Sequence, residues 1–332
     1  MYLVIGGTEM IGAHLICTML KQGMHVSAIR SKYDNTEYTK HVLSFYSIDY
    51  IDQYNEIEWR DAELDDPVSL EEAMEGITTI FYCKDPELSS RRSISDNVYE
   101  IRNVIDVVRS NQERQFYYVS SMFALGDEPD LKEITETSQR NPKGNYTKRS
   151  TTFFRCEMEV RRAMEEGLDA GIINPCVVLG PGDWVNDMSA LIELTKSLEV
   201  YTDGVTGFVG VNDVVKCLMT MARKKITGEN FIVCSQNLCI RELLDTIAKY
   251  MGVKMPKAQI SKLQLKIMRL KYAIKSLLTG RRPIINDAFF DSITQFKLYS
   301  NKKSVNKLIA NYQPIDQVID EICKIYRQDH QH

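Results

Sequence analysis

Short apolar runs alternate with helical patterns through the first half of the chain. Runs typical of β-strands occupy residues 2–6, 24–29, 56–60, 78–83, 115–120 and 170–175. Helical patterns open between them, near residues 11, 68, 96 and 151. Strands that alternate with helices are joined by crossovers, which build a parallel sheet covered on both faces. The pattern therefore predicts an α/β protein with a doubly wound parallel sheet.

The simple alternation stops after Pro181 and Gly182. A strand-like run at 231–235 is followed by helical patterns at about 240–251, 261–279 and 303–310. This mixture predicts a smaller, mainly helical C-terminal lobe. We expect residues 1–180 to form the main nucleotide-binding domain, with about 208–240 returning to it. Residues 181–332 are then expected to form a substrate-binding lobe.

Composition places the chain among ordinary globular proteins. Of its 332 residues, 44% are apolar and 26% are charged, and its net charge is −4. That charge argues against general nucleic-acid binding. No apolar run is long enough for a membrane span, and the first strand begins at Met1, so we expect a cytoplasmic protein.

The cysteines are scattered, mostly within apolar runs, and none forms a CxxC pair. This distribution predicts buried free thiols rather than a disulfide framework or a zinc site. The histidines are also dispersed, and we expect no metal site. The eight cysteines are Cys17, Cys83, Cys156, Cys176, Cys217, Cys234, Cys239 and Cys323.

The turn after the first strand contains two glycines, Gly6 and Gly12, at the start of a predicted helix. A strand, a glycine turn and a helix N-terminus together present backbone N–H groups to a diphosphate. Glu9 stands where a further glycine would let the backbone approach a pyrophosphate, so its carboxylate either points to solvent or repels phosphate. The candidate contacts in this turn are Gly6, Thr8, Glu9, Met10, Ile11 and Gly12.

The second predicted strand ends in Arg30 and Ser31. An acid at this place would hydrogen-bond a ribose 2′-hydroxyl, whereas a guanidinium suits a 2′-phosphate. The residues therefore favour NADP over NAD as the cofactor. The alternative is a solvated basic turn that binds nothing.

Several segments carry a family resemblance over nearly the whole chain. They are the glycine turn, Glu63 to Leu70, Asn97-Val98 with Asn103-Val104, YYVSSMFALG at 117–126, Glu157 with Gly167-Leu168, Asn174 to Gly182 and residues 201–214. With these motifs the chain resembles the extended short-chain dehydrogenase/reductases, in the dihydroflavonol-reductase-like branch of the epimerase/dehydratase superfamily. The resemblance implies a Rossmann-type fold, a nicotinamide cofactor and a monomer or homodimer.

The same resemblance assigns roles to individual residues. Ser121 falls at the catalytic serine, Glu63 and Leu64 flank the adenine, and Pro175 lies beside the nicotinamide. Lys84 and the following Asp85 stand where the family has small residues next to the cofactor.

The family's Tyr-x-x-x-Lys pair is replaced here. Without gaps, its two positions fall on Arg149 and Phe153, which cannot donate a proton near neutral pH or bind a ribose. Tyr146 and Lys148 are the nearest substitutes. One expectation is an NADP-dependent enzyme that reduces a carbonyl or oxidises a hydroxyl of a small molecule. The other is an inactive relative, a ligand-binding or regulatory scaffold that retains NADP or has lost the cofactor.

The segment 261–279 is basic and amphipathic at helical spacing. One interpretation is a lobe helix that packs its apolar side over the substrate cavity. The other is a peripheral helix on an anionic membrane surface, where each lysine near the lipid contributes about 1 kcal/mol.

Overall fold

A computed structural model of the chain describes residues 1–88, 92–127, 133–184, 190–197, 200–255, 258–260, 264, 267 and 294–330. Its strands are β1 (Tyr2–Ile5), β2 (Val26–Arg30), β3 (Glu58–Asp61), β4 (Thr79–Tyr82), β5 (Gln115–Val119), β6 (Ala170–Pro175), β7 (Val177–Leu179), β8 (Val200–Tyr201), β9 (Val205–Gly210), β10 (Asn230–Val233), β11 (Gln236–Cys239) and β12 (Ala258–Gln259). Its helices are α1 (Met10–Lys21), α2 (Glu37–Ser44), α3 (Tyr50–Asn55), α4 (Pro67–Ala73), α5 (Ile94–Arg109), α6 (Lys148–Glu165), α7 (Ala190–Ser197), α8 (Val211–Lys224), α9 (Ile240–Met251), α10 (Lys302–Lys307) and α11 (Ile315–Asp329).

Seven parallel strands form the central sheet in the order β3-β2-β1-β4-β5-β6-β10. The chain runs outward from β1 in one direction through β2 and β3, and in the other through β4, β5 and β6. This is the strand order of doubly wound nucleotide-binding sheets. The predicted α/β class and the positions of its strands are confirmed.

Side chains of successive strand residues enter opposite apolar layers, as the strand period requires. Val4 packs in one layer with side chains from α1 and α8, including Leu15 and Leu218. Leu3 and Ile5 pack in the other layer, whose helical members come from α4, α5 and α6. Helices therefore cover both faces of the sheet. Since the faces are covered, the loops at the carboxyl ends of the strands are where a ligand site is expected in such a sheet.

A second, smaller sheet lies beyond β6. Its order is β11-β9-β7, and a separate apolar cluster joins it to α9 and α11. Residues 230–233 pair with β6 and so belong to the main sheet. The division of the chain at residue 180 stays a prediction. Most of the basic segment 261–279 lies outside the described residues, and the two uses considered for it stay predictions as well.

The cysteines lie inside the protein as the sequence predicts: all are buried except Cys239, which is half-buried. Within the described ranges, no helix is both long enough and apolar enough to cross a membrane.

His14 is a buried histidine in α1, directly behind the glycine turn. Its Nδ1 lies 2.8 Å from the carbonyl oxygen of Met10 and its Nε2 lies 3.1 Å from the hydroxyl of Tyr46. Burial lowers the pKa of His14 to about 4, whereas an unfolded histidine titrates near 6.5. The folded protein therefore excludes a proton that the unfolded chain accepts. The part of the protein's stability that depends on neutral His14 is fully present above pH 6.5 and is lost as the pH falls toward 4.

We expect this histidine to cost about 2 kcal/mol of unfolding free energy between pH 7 and pH 5. The measurement is urea unfolding of the unaltered protein and of His14→Gln at both pH values. The variant should lack this component, while His25→Gln, which alters an exposed histidine, should retain it. Equal pH dependence in the protein and in His14→Gln would contradict the assignment.

Candidate functional site

The carboxyl ends of the central strands meet at one edge of the sheet. There the strand order reverses between β1 and β4, and the chain leaves in opposite directions on either side. Such a reversal opens a crevice, which is where open α/β sheets bind ligands. Five of the residues that the sequence singled out lie along this edge: Gly6 follows β1, Arg30 ends β2, Lys84 follows β4, Ser121 follows β5 and Pro175 ends β6.

The turn between β1 and α1 is tight and requires both glycines. Gly6 has a φ of +81°, and a Cβ there would lie 2.5 Å from the backbone nitrogen of Lys84. A Cβ on Gly12 would lie 2.1 Å from the carbonyl oxygen of Gly6. Only glycine permits these approaches. The turn therefore holds the N-terminus of α1 directly against the ends of β1 and β4.

The first amides of α1 face this crevice without helical acceptors. The backbone nitrogen of Ala13 donates to the carbonyl of Glu9 at 2.8 Å, and this starts the helical ladder. The amides of Met10, Ile11 and Gly12 precede that bond, so they have no acceptor within the helix. Together with the helix dipole they form a site suited to an anion.

Glu9 occupies the N-cap of α1 and is half-buried. Its side chain does not cap the helix. Burial raises the pKa of the Cys83 thiol at the end of β4, and the nearby Glu9 carboxylate raises it further. The Glu9 carboxylate is thus close enough to the end of β4 to influence Cys83 electrostatically. Its negative charge would also act on an anion bound at the turn. Thr8, Met10 and Ile11 are half-buried beside it.

Arg30 is at the predicted place but has a partner that the sequence analysis did not identify. Its Nε and Nη2 donate to the two carboxylate oxygens of Asp61 at 2.8 and 3.0 Å. The two residues are paired in register at the ends of β2 and β3. The hydrogen bonds from Arg30 hold the pKa of Asp61 below its usual value. Both side chains are exposed, so the pair is accessible to solvent and to ligands.

Acidic side chains also hold the backbone that follows Arg30. The amide of Ser31 donates to Asp34 at 2.8 Å, and the amide of Lys32 donates to Glu63 at 2.7 Å. The sequence did show opposite charges, Arg30 and Asp61, at the ends of two predicted strands. It did not show that these two strands pair in a register that joins the two side chains.

Two asparagines on α5 position the loops that flank the crevice. Asn103 donates to the carbonyl of Leu64 at 3.1 Å, behind the predicted adenine-flanking segment. Asn97 accepts from the amide of Glu87 at 2.8 Å and donates to its carbonyl at 2.9 Å. These two asparagines, which belong to the family-like motifs, therefore hold the backbone of the two loops in place.

Ser121 follows β5, and its hydroxyl accepts from the amide of Phe123 at 3.4 Å. Its own carbonyl accepts from Asn174 at 3.2 Å. Ser121 is half-buried at the carboxyl edge, where a ligand in the crevice could reach it.

A buried carboxylate organises the backbone around this serine. Glu157 on α6 accepts from Ser120 and from Asn174, both at 2.6 Å, and from Arg161 at 2.8 Å. The cluster joins α6 to the ends of β5 and β6, and so fixes Ser121 relative to Pro175.

The residues at the family's tyrosine and lysine positions make other contacts. Arg149 donates to Asp85 at 2.6 Å, and its guanidinium carbon lies 5.0 Å from the ring centre of Phe153. Phe153 is fully buried. The Arg149 ion pair reaches from α6 to the loop after β4, at the mouth of the crevice.

Tyr146 and Lys148 make hydrogen bonds with residues other than Ser121. The hydroxyl of Tyr146 accepts from the amide of Asn141 at 3.0 Å, and its ring stacks on Arg140. Lys148 donates to the carbonyl of Arg92 at 2.7 Å. Among the residues that the structure describes, no hydrogen bond links Tyr146 to Ser121.

These features fit a dinucleotide at one end of the crevice more clearly than at the other. The Gly6 and Gly12 turn with the amides of α1 suits a diphosphate, and Arg30 is accessible at the end of β2. At the predicted nicotinamide end, Ser121 and Pro175 lie at the ends of β5 and β6, and within the described ranges no hydrogen bond joins Tyr146 to Ser121. In the described part of the chain, no cluster of three or more His, Cys, Asp or Glu side chains could hold a metal ion.

Comparisons with known proteins agree with this geometry. The model of the NAD dependent epimerase/dehydratase family matches residues 2–234. The chain is 26% identical over 259 residues to tetraketide alpha-pyrone reductase 2 of Arabidopsis thaliana, covering 71% of this chain and 78% of that protein. It is 23% identical over 267 residues to sterol demethylase protein B of Methylococcus capsulatus, covering 78% and 76%.

The fold also matches solved structures. The dTDP-glucose 4,6-dehydratase of Bacillus anthracis, determined in complex with NAD, superimposes with a TM-score of 0.74 over 99% of this chain and 97% of that one. The two sequences are 14% identical, so this likeness concerns the fold alone.

Proposed function

The chain belongs to the NAD-dependent epimerase/dehydratase family, and from this premise we propose that it binds NADP(H) in the crevice at the carboxyl edge of the central sheet. In this proposal the dinucleotide is retained as a ligand, while the conventional tyrosine and lysine machinery is not. The protein then acts as a dinucleotide-dependent binding or regulatory scaffold, with a small molecule as its second ligand.

The observation that carries this proposal is the contrast between the two ends of the crevice. At one end, Gly6 and Gly12 keep the close backbone contacts that hold the N-terminus of α1 against the ends of β1 and β4, where a diphosphate would bind. At the other end, Arg149 is paired with Asp85 and Phe153 is buried. A binding site is retained where the chain would meet the diphosphate, and the proton donor of the family is replaced where the chain would meet the nicotinamide.

Arg30 supports NADP rather than NAD. A guanidinium binds a phosphate through two parallel hydrogen bonds, and Arg30 already presents two donors in this way to Asp61. Exposed ion pairs contribute about 0–1 kcal/mol, so a doubly charged phosphate can displace or share the contact with Asp61. Glu63 and Leu64 form the neighbouring wall for the adenine in this proposal.

A second candidate function is hydride transfer to a carbonyl or from a hydroxyl. Bound NADP(H) would supply or accept the hydride. The observation in its favour is the buried Glu157 cluster, which fixes the backbone on either side of Ser121, the residue that would hydrogen-bond a substrate oxygen in this candidate function. In the contacts that Tyr146 makes in this structure it does not serve as the proton donor. Hydride transfer would therefore require a different proton donor.

The test is calorimetric titration of the full chain with NADPH and with NADH, after removal of any co-purified nucleotide. We expect NADPH to bind more tightly, and Arg30→Ala to weaken NADPH binding by about 2 kcal/mol, or roughly thirtyfold, with little effect on NADH. Asp61→Asn should strengthen NADPH binding because it removes the competing carboxylate.

Arg102→Ala is the matched control, since it removes another exposed, ion-paired arginine away from the crevice. Equal losses for NADPH and NADH in Arg30→Ala would contradict the role of Arg30. If neither NADPH nor NADH binds, the result contradicts the proposal. Steady NADPH consumption with a carbonyl compound would favour hydride transfer over the scaffold function.

A further inference from the structure

Two cysteines far apart in sequence meet at the carboxyl edge of the sheet. Cys176 follows β6 and Cys234 follows β10, the strand that ends the sheet on that side. A Cβ added to Gly207 on β9 would lie 2.5 Å from the sulfur of Cys176 and 2.8 Å from the sulfur of Cys234. The two sulfurs are therefore separated by less than the sum of these distances, and they lie against the same glycine.

The strand register brings the two backbones to a distance that a disulfide can span. Pro175 and Val233 are paired in the parallel ladder, and the amide of Cys176 donates to the carbonyl of Val233 at 3.0 Å. Cys176 and Cys234 are the next pair in this register. Neighbouring strands lie about 4.8 Å apart, and paired residues direct their side chains to the same face. Disulfides join Cα atoms that are about 4.4 to 6.8 Å apart.

Both cysteines of the pair lie in apolar surroundings. Both thiols lie in a small apolar cluster with Met122 and Tyr299, with 4% and 1% of their surface exposed. The sulfur of Cys234 also donates to the side-chain oxygen of Asn237 at 3.9 Å. Burial, followed by the adjacent Cys234 thiol, raises the pKa of Cys176. The Cys176 thiol therefore stays protonated, and burial keeps bulky reagents from both sulfurs.

We propose that Cys176 and Cys234 are a redox modification site, whose thiols are oxidised to a reversible disulfide in the folded protein. In the reaction, hydrogen peroxide first oxidises one thiol to a sulfenic acid with release of one water. The second thiol then attacks that sulfur, forms the S–S bond and releases a second water. Two protons and two electrons pass from the thiols to the peroxide.

Proximity makes the second step fast, because both sulfurs are already held on the same glycine. The first step needs access by a small oxidant and loss of the thiol proton, and local opening of the terminal strand β10 provides both because it exposes the thiol to water. The disulfide would link β10 to β6 immediately after Pro175, at the same sheet edge as Ser121. This proposal does not depend on the binding of NADP(H).

The experiment treats the reduced, folded full chain with hydrogen peroxide. Remaining thiols are then blocked with N-ethylmaleimide in denaturant, and the digested peptides are analysed by mass spectrometry. We expect one linked pair of peptides, containing Cys176 and Cys234 and lighter than the two reduced peptides by two hydrogen atoms. Dithiothreitol should restore both as alkylated peptides. Cys83 and Cys156, which are also buried, serve as internal controls and should remain thiols.

Single variants Cys176→Ser and Cys234→Ser should each abolish the linked species, whereas Cys217→Ser should retain it. Because the main result comes from the unaltered protein, it does not depend on whether a variant folds. Both cysteines recovered as alkylated peptides, or linked to other cysteines, would overturn the proposal. Titration with NADPH on the same sample tests the proposed function separately, since disulfide mapping needs no nucleotide.

Discussion

Replacing Glu157 with alanine is expected to lower the free energy of unfolding by about 2–5 kcal/mol, because two buried donors lose their acceptor. The carboxylate is almost fully buried and accepts from Ser120, Asn174 and Arg161. Its removal leaves the Ser120 hydroxyl and one N–H of the Asn174 side chain without an acceptor, and each such donor costs about 1–3 kcal/mol. The measurement is urea unfolding at pH 7.

A conservative variant and a matched control separate charge from packing. Glu157→Gln keeps the volume and one acceptor, so its loss should be smaller than that of Glu157→Ala. Glu166→Gln alters an exposed carboxylate beyond the end of the same helix, paired with Arg109, and should change stability by less than about 1 kcal/mol. A loss in Glu157→Ala no greater than in Glu166→Gln would show that the cluster does not stabilise the fold.

Replacing Gly12 with alanine is expected to destabilise the protein by about 3 kcal/mol, at the upper end of losses from overpacking. The added Cβ would lie 2.1 Å from the carbonyl oxygen of Gly6, so either α1 or the turn must move. Alanine is otherwise the better helix former, and any loss therefore comes from this contact. Urea unfolding measures the effect, and we expect NADPH affinity to fall at least roughly tenfold, since a displaced α1 no longer presents its amides.

Gly23→Ala provides the comparison for this variant. Gly23 has a φ of +67° and no heavy atom within 4 Å of an added Cβ, so alanine there costs only the backbone strain, about 1 kcal/mol. NADPH affinity should stay unchanged in Gly23→Ala. Should Gly12→Ala be no less stable than Gly23→Ala, the close packing of the turn would not be required for the fold.

Features that depend on neighbouring residues could be predicted from the sequence. The run at 115–120 predicted a strand, and β5 spans Gln115–Val119. The helical pattern opening near residue 68 corresponds to α4, where Asp66 accepts from the amide of Val68 and Pro67 occupies the first turn. Alternation, caps and turn glycines are local signals, and here they agree with the fold. Family-like motifs likewise located the glycine turn and Ser121.

Contacts between distant segments could not be predicted in the same way. Arg30 was identified as a phosphate-binding candidate, but its pairing with Asp61 follows from the register of β2 with β3. The contacts of Tyr146 with Asn141 depend on the path of the loop before α6. Nothing in the sequence spacing of Cys176 and Cys234 indicates that their sulfurs lie next to each other, beside Gly207.

The sequence by itself thus determined the doubly wound α/β class, the family and the edge of the sheet on which the candidate site lies. Periodicity, capping and turn chemistry act over a few residues, and parallel strands always bring their carboxyl ends together. Only the tertiary structure decided which charges pair across that edge, where Tyr146 and Arg149 are held, and which thiols meet. These outcomes depend on strand register and on helix docking, which are set by the packing of the whole core.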